Sequence, residues 1–288
     1  MSEKTTLKLA IQKSGRLSEE SIKLIRDCGI ILNRNDNRLK NEAINFPIDV
    51  ISLRDDDIPR YISDGVVDAG IVGENLLFEY EKENIAVEKL GFSKCRLCIA
   101  VPNGFNYEGP QSLEGKYIAT SYPTSLKRYL KKNNVNASIR EITGSTEIAP
   151  GIGLADAICD IVSSGSTLVG NGLKEVDTVL SSQAVLACNT NLSNEKSDIF
   201  EDFLFRVQAV QKARRSKYIM LNAQKDNLNE ILSILPGLHS PTVMPLSDEN
   251  WVSIHTVIQE DEFWSKIEKL KDAGAEGILV LPIEKIIL

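Results

Sequence analysis

The chain has 288 residues, of which 42% are hydrophobic and 25% charged, a composition that predicts a soluble protein of about two domains. Its formal net charge of −7 argues against a general nucleic-acid-binding protein, which usually carries a basic face, but it does not exclude small anionic substrates. Neither a signal peptide nor an apolar run near the ~20 residues of a membrane span is visible, so we expect a cytoplasmic protein that does not cross a membrane.

Alternating strands and helices over the first two thirds of the chain predict a mostly parallel α/β arrangement. The first unit is predicted to contain strands Leu7–Ile11, Ile48–Leu53 and Val66–Val72, with a helix from Ser18, its N-cap, to Cys28 and another at Asp57–Ser63. A second unit begins at Cys95, with strands Lys116–Thr120 and Ala157–Val162 and a helix starting at Pro123.

The segment Glu175–Ala187 is predicted to return to the first unit. This predicts two lobes joined by two crossings, residues 1–94 with 175–212 and residues 95–174. Asn189–Asp198 is predicted as a connecting loop, and Ile199–Lys212 as a helix.

Residues 213–288 follow a different order of elements, βαββαβ, which is that of a ferredoxin-like domain. The predicted elements are Ser216–Ala223, Asp226–Leu235, Thr242–Leu246, Trp251–Ile258, Asp261–Ala273 and Glu276–Leu281.

The strongest local signal for chemistry is the end of the strand Ala157–Val162. Asp160 stands near its end, and Ser163–Thr167 follow as a loop of small hydroxyl residues and glycine. Backbone N–H groups and hydroxyls at such a turn form a phosphate cradle, and Asp160 could hold ribose hydroxyls. An ordinary polar turn between a strand and a helix gives the same pattern.

Two acids and three glycines between Gly144 and Asp156, with Glu147 among them, fit a loop that touches a ligand, although an ordinary Gly/Pro turn would look the same. The chain has neither a GxxxxGK[ST] motif nor a GxGxxG motif after a strand. Any ATP site would therefore be built without a Walker loop.

Three arginines could clamp a pyrophosphate: Arg16 in the turn after the first strand, Arg38 and Arg54. Each could equally be a solvated surface charge. The acids Asp55–Asp57 are interpreted as a helix start rather than as metal ligands.

The remaining reactive side chains are interpreted as structural. His239 and His255 fall in the last domain, away from these loops, and are interpreted as non-catalytic. Cys95 and Cys98 form a CxxC pair without a second pair or nearby histidine, so we expect buried core thiols.

Taken together, these segments resemble the ATP phosphoribosyltransferase family over nearly the whole chain. The resemblance rests on Gln12–Leu17, Arg54–Pro59, Gly65–Asn75, Ala119–Pro123, Leu126–Leu130, Glu147–Pro150, Ser164–Leu168, Asn171–Leu173, Leu235–Leu238, Ser240–Thr242 and Leu281–Lys285. It implies a catalytic core of two α/β lobes, similar to type II periplasmic binding proteins, followed by the ferredoxin-like domain of the long form.

The activity implied by this resemblance is displacement at ribose C1 of phosphoribosyl pyrophosphate (PRPP) by N1 of the ATP adenine, with Mg²⁺ required. By position, Asp160, Glu147 and the loop residues match the PRPP site. The five loop residues are Ser163, Ser164, Gly165, Ser166 and Thr167.

The resemblance assigns the ATP side of the site to a second group of residues. Arg16 and Arg38 match arginines near ATP and the departing pyrophosphate, and Lys13, Asp68 and Gly73 match the nucleotide side of the cleft.

The resemblance also implies hexameric assembly and inhibition by histidine at the last domain. Leu238, Ser240 and Thr242 match the effector site, and Asn222 stands where some relatives place an acid.

Three alternatives remain at this stage. A non-catalytic binding protein of the same fold would lack the loop chemistry of residues 160–167, and a phosphoribosyltransferase acting on a nucleobase usually carries paired acids before that loop. A purely regulatory subunit would lack the complete loop.

Overall fold

The structure, a computed structural model, describes residues 5–33, 39–163, 165–235 and 240–287. The chain divides into two units, Met1–Arg26 with Ile30–Phe200, and Asp27–Gly29 with Glu201–Leu288. We call the first the N-terminal unit and the second the C-terminal unit.

The elements of the N-terminal unit alternate between strands and helices, as predicted. They are β1 (Leu7–Gln12), α1 (Arg16–Asp27), β2 (Lys40–Glu42), β3 (Ile48–Leu53), α2 (Ile58–Ser63), β4 (Ala69–Gly73), α3 (Glu74–Glu79), β5 (Ala86–Lys89), β6 (Cys95–Pro102), β7 (Tyr117–Thr120), α4 (Pro123–Lys132), β8 (Ser138–Glu141), β9 (Ala157–Val162), α5 (Ser166–Gly170), β10 (Leu173–Ser182), β11 (Ala184–Cys188) and the start of α6 (Asn194–Arg214).

These strands form two sheets, one for each lobe. The first has the order β2-β3-β1-β4-β11-β5 and the second the order β10-β6-β9-β7-β8. Because β1 pairs in parallel with β3 and β4, the carboxyl ends of these three strands meet at one edge of the first sheet. The chain crosses between the sheets twice, from β5 to β6 and from β10 to β11. The predicted two-lobed α/β fold is confirmed, but both sheets are mixed rather than mostly parallel, because β11 pairs antiparallel with β4 and β6 pairs antiparallel with β9 and β10.

The return crossing lies later in the chain than the sequence predicted. The predicted return began at Glu175, but β10 runs to Ser182 and pairs antiparallel with β6 in the second sheet. The reason is apolar burial, because Val176, Val179 and Leu180 pack on the core of the second lobe. The first strand of the return to the first sheet is therefore β11.

Two helix starts also differ from their predictions. The first helix begins at Arg16, directly after Gly15 with its φ of 89°, so Ser18 lies buried inside the first turn and is not the N-cap. The helix α6 begins at Asn194, within the segment predicted as a loop. The first residues of this helix are polar, so their sequence resembles that of a loop.

The C-terminal unit contains the end of α6 and a four-stranded antiparallel sheet. Its elements are β12 (Ser216–Gln224), α7 (Leu228–Ile234), β13 (Thr242–Pro245), β14 (Trp251–Gln259), α8 (Glu260–Asp272) and β15 (Glu276–Pro282), with the sheet order β13-β14-β12-β15. The core of this unit joins the sheet to α7 and α8 through buried Leu221, Ile254, Ile231 and Leu270. The predicted ferredoxin-like domain is confirmed.

Within the part of the chain that the structure describes, no helix is both long and apolar enough to span a membrane.

Candidate active site

A cavity of about 290 Å³ lies between the lobes at the carboxyl ends of their strands. It brings together Arg16 from the start of α1, Gly73 from the end of β4 and Ser163 from the loop after β9. All three residues were predicted from the sequence to contact substrate. Ligands of α/β sheets bind in such crevices outside the carboxyl ends of strands.

The two cations of the first turn are exposed at this edge. The side chain of Arg16 is 69% exposed, and its Nε lies 3.7 Å from Oε1 of Glu20, a long contact that leaves the planar fork available to an anion. Lys13 is exposed, and its backbone N–H donates to the carbonyl oxygen of Leu53 at 2.8 Å, which ties the turn to the end of β3.

Gly73 has no room for a side chain, because the side chain of Asn75 lies close to its Cα. A Cβ atom at this position would collide with Oδ1 of the buried Asn75. That oxygen is held in place by the hydroxyl of Ser182, which donates to it at 2.9 Å and accepts from the backbone N–H of Asn75 at 3.0 Å. Since Ser182 ends β10, this bond joins the end of β4 to the return crossing.

The predicted phosphate loop leaves β9 and enters α5. Ser163, Ser166 and Thr167 are exposed, and Gly165 has a φ of 81°, a left-handed conformation that glycine adopts without strain. The side chains of Ser163 and Thr167 are accordingly accessible to a ligand. Ser164 lies outside the described residues.

Asp160 lies on the face of β9 opposite that of Ile161, which lines the cleft, and it contacts the 3₁₀ turn Thr146–Ile148. One carboxylate oxygen accepts from the buried hydroxyl of Thr146, and the other accepts from the backbone N–H of Ile161 at 2.7 Å. Burial raises the pKa of Asp160, as does the negative charge of Glu147, whereas the two hydrogen bonds lower it. The structure thus brings Asp160 and Glu147 together, as predicted for a single subsite.

Asp68 does not join the other predicted ATP residues. It precedes β4 and lies at the opposite edge of the sheet, where its carboxylate accepts from the backbone N–H of Lys8 at 2.8 Å and binds Nζ of Lys196 at 2.9 Å. Its carboxylate is only 9% exposed. These bonds satisfy Asp68 as part of the fold, and we leave it out of the proposed ATP site. Arg38 lies outside the described residues.

Tyr122 lines the cleft from the second lobe, at the start of α4, and the sequence did not identify it. Burial raises the pKa of its phenol, followed by the charges of Asp160 and Asp56. Its ring packs on the cores of both lobes. The only sequence signal was an aromatic residue preceding the proline of a predicted helix.

The acids Asp55–Asp57 form a 3₁₀ turn at the start of α2, as predicted, but neither Asp57 nor Arg54 caps the turn with a side-chain hydrogen bond. Asp55 instead lines the cleft, and its Oδ2 accepts from the amide of Gln12 at 3.5 Å.

Known proteins match the chain over both units. The family profile described as ATP phosphoribosyltransferase matches residues 54–209, and the profile described as the C-terminal domain of HisG matches residues 213–285. The chain belongs to the ATP phosphoribosyltransferase family. It is 58% identical to the ATP phosphoribosyltransferase of Cytophaga hutchinsonii, over 98% of this chain and 99% of that one. It is 54% identical to that of Bacteroides thetaiotaomicron, over 98% of this chain and 100% of that one.

A solved structure agrees with this assignment. The ATP phosphoribosyl transferase (HisG:HisZ) complex from Thermotoga maritima contains a chain that superposes with a TM-score of 0.61 at 30% identity, covering 70% of this chain and 97% of that one. The protein is thus a glycosyltransferase, and its family belongs to histidine biosynthesis.

The predicted effector residues of this transferase lie in the C-terminal unit. Thr242 pairs with His255, and Asn222 pairs with Ser253, so both face the side of the sheet opposite its helices. Ser240 is exposed just before β13, and Leu238 lies outside the described residues.

His255 and Cys98 do not line the cleft, whereas Cys95 does. His255 lies in β14, with Nδ1 2.9 Å from the hydroxyl of Tyr218, and His239 lies outside the described residues. Cys95 and Cys98 are free thiols in β6, and burial raises the pKa of both. Cys95 lines the cleft wall, but its raised pKa favours the neutral thiol.

Proposed function

We propose that the enzyme transfers the 5-phosphoribosyl group of PRPP to N1 of the adenine of ATP, giving phosphoribosyl-ATP and pyrophosphate, as the first step of histidine biosynthesis. The cleft carries this proposal, because it joins Arg16 and Gly73 of one lobe to Ser163 of the other within a chain of this family. Two substrates that meet at one carbon need such a two-sided site.

The chemistry requires positioning and charge stabilisation rather than a covalent nucleophile. As N1 attacks, the bond from C1 to the pyrophosphate oxygen breaks and its electron pair leaves with the pyrophosphate. The ribose gains positive charge and the leaving group negative charge. The exposed guanidinium of Arg16 is suited to hold that pyrophosphate through two parallel hydrogen bonds.

We assign the second lobe to PRPP. The loop of residues 163–167 would hold the 5′-phosphate, with the exposed hydroxyls of Ser163 and Thr167 as donors. Asp160, beside Glu147, would accept hydrogen bonds from the ribose hydroxyls. Lys13 and Gly73 would border ATP on the first lobe, and we keep Arg38, Ser164 and Ser166 in the proposed site by position.

Mg²⁺ fits this arrangement as a partner of PRPP. Among the described residues, no group of three histidine, cysteine or acidic side chains could hold a metal alone. Mg²⁺ usually binds one or two carboxylates together with substrate phosphates and water. Asp55 at the cleft and Asp160 beside it are the carboxylates suited to that role. The ion would neutralise charge on the departing pyrophosphate.

We further propose that residues 213–288 sense histidine and lower activity, with Asn222, Leu238, Ser240 and Thr242 as the effector contacts, in a cytoplasmic homo-oligomer, a dimer or hexamer. The support is that this domain contains none of the proposed substrate residues and yet matches its own family profile.

The test is direct. The purified chain, incubated with ATP, PRPP and Mg²⁺, should yield phosphoribosyl-ATP by mass spectrometry, with pyrophosphate released in equal amount. Adenine offered in place of ATP serves as the control. Equal turnover of the free base would contradict the assignment of ATP as acceptor.

A further inference from the structure

Arg96 lies beside the start of the loop of residues 163–167, on the strand next to β9. It belongs to β6 and pairs with Val162, the last residue of β9. Its Nη1 donates to the carbonyl oxygen of Ser163 at 3.3 Å. This is the point at which the chain leaves the strand to form the proposed PRPP loop.

The guanidinium is held there by a carboxylate from the edge strand β10. Nε of Arg96 donates to Oε1 of Glu175 at 2.7 Å, and Nη2 donates to Oε2 at 2.5 Å. The pair is therefore bidentate, a geometry that fixes the plane of the guanidinium as well as its position. With Nε and Nη2 used by Glu175, Nη1 is directed to Ser163.

Glu175 is itself fixed by a third donor. Sγ of Cys98 donates to Oε1 of Glu175 at 3.0 Å. Burial raises the pKa of Cys98 to about 12, helped by Glu175, so the thiol keeps the proton that it donates. Arg96 lowers the pKa of Glu175, so the carboxylate stays charged at neutral pH. Charge and hydrogen bonding thus support one arrangement of the three side chains.

We propose that Arg96 is a positioning residue for the PRPP loop, set in place by Glu175, and that it acts through the backbone of Ser163. This inference rests on the proposed function, since it takes the loop to be the PRPP site. A guanidinium can bridge a carboxylate and a carbonyl in fixed directions, whereas an ammonium is a point charge that does not impose the plane. The loop would accordingly be preorganised before PRPP arrives.

The test compares Arg96→Met, Arg96→Lys and Glu175→Gln in steady-state assays of the full chain. Each should raise the KM for PRPP about tenfold, the lower end expected for loss of a hydrogen bond to a charged group, and should change the KM for ATP less than about twofold. Arg96→Lys should fail to restore the wild-type value. Glu175→Gln should act like the arginine variants although it retains Arg96, because the guanidinium is no longer held.

A matched control is available in Arg128→Met. Arg128 is also half-exposed and forms ion pairs, with Glu83 at 2.5 Å and Glu81 at 3.2 Å, but it lies on α4, away from the loop. This variant should leave the KM for PRPP unchanged. The double variant of Arg96→Met with Glu175→Gln should raise the KM for PRPP no more than either single variant, since both changes break the same ion pair.

Three outcomes would overturn the positioning role. One is an unchanged KM for PRPP in Arg96→Met, and another is an equal rise for both substrates. The third is a loss confined to the Arg96 variants with a normal Glu175→Gln, which would indicate that the arginine binds substrate directly. If the unaltered chain formed no product, the proposed reaction would fail instead. Calorimetric titration of PRPP into the unaltered chain and Arg96→Lys would then test the loop role, and equal affinities would overturn it.

Discussion

The first turn of α4 in the second lobe is capped by a side chain of the first lobe, and this makes a sharp prediction about stability. Glu79, at the end of α3 and 8% exposed, accepts from the backbone N–H of Thr124 at 2.8 Å and of Ser125 at 2.9 Å. Pro123 has no N–H, and the N-cap Tyr122 forms no side-chain cap bond. The two free donors of the turn therefore depend on one buried carboxylate.

The expected loss follows from these contacts. Glu79→Gln keeps one carbonyl oxygen but removes the negative charge at the helix N-terminus and turns an NH₂ group toward a donor. Losing one hydrogen bond to a charged group costs ~1.5–3 kcal/mol. Glu79→Ala removes both acceptors and leaves one buried and one partly buried N–H group unsatisfied, so we expect a loss of about 3–5 kcal/mol in the free energy of unfolding.

Urea unfolding followed by circular dichroism measures this loss, as a lower transition midpoint at unchanged slope. Both tryptophans, Trp251 and Trp264, belong to the C-terminal unit, so their fluorescence checks that this unit is unaffected. The control is Glu83→Gln, which removes a surface ion pair with Arg128 from the same region, with Glu83 37% exposed. Such a pair contributes ~0–1 kcal/mol, so the control should unfold nearly like the wild type. A Glu79→Gln variant no less stable than Glu83→Gln would refute the capping argument.

Four further predictions concern the proposed site and effector domain. Arg16→Ala should lower kcat more than it changes KM, since a pyrophosphate clamp acts in the transition state, and Arg16→Lys should restore activity only in part; full activity of the lysine variant would reduce the role to a simple charge. Thr167→Ala should raise the KM for PRPP, through a loss of ~1.5–3 kcal/mol in binding free energy, and should raise the KM for ATP less. Equal effects on both substrates would show that the loop does not bind PRPP specifically. The pKa of Asp160 is raised, and in the proposed site its charged form would accept hydrogen bonds from the ribose hydroxyls, so PRPP affinity should fall as pH is lowered through that pKa. The Asp160→Asn variant should lack this dependence in calorimetric titrations. Ser240→Ala with Thr242→Ala should weaken inhibition by histidine while basal turnover is kept; inhibition curves that overlay those of the wild type would place the effector elsewhere.

The strand ends of the cleft could be predicted from the sequence because their signal is local. Each buried strand ends where apolar residues give way to glycine or polar residues, as at Val162 before Ser163 and Ile11 before Gln12. Because β1 and β4 are parallel, their carboxyl ends meet at one edge, and this places Arg16 beside Gly73, which the sequence grouped only through the family resemblance. The same reasoning fails for Asp68, which stands at the start of its strand.

Strand membership was harder to predict than strand position. β10 and β11 are separated by a single residue, Gln183, and both contain apolar residues, yet they belong to different sheets. No local pattern distinguishes them, because the difference lies in the partner strand. The choice is made by packing, with Val179 on the core of the second lobe and Val185 on that of the first.

The residues that support the site depend on register, which is why the sequence left them out. Arg96 and Glu175 are 79 positions apart, and they meet because β6 pairs antiparallel with both β9 and β10. One residue of slip in either ladder would turn Arg96 to the opposite face and away from Ser163. A substrate residue can therefore be recognised from the loop that contains it, whereas the side chain that holds this loop in place is defined only once the strands beside it are paired.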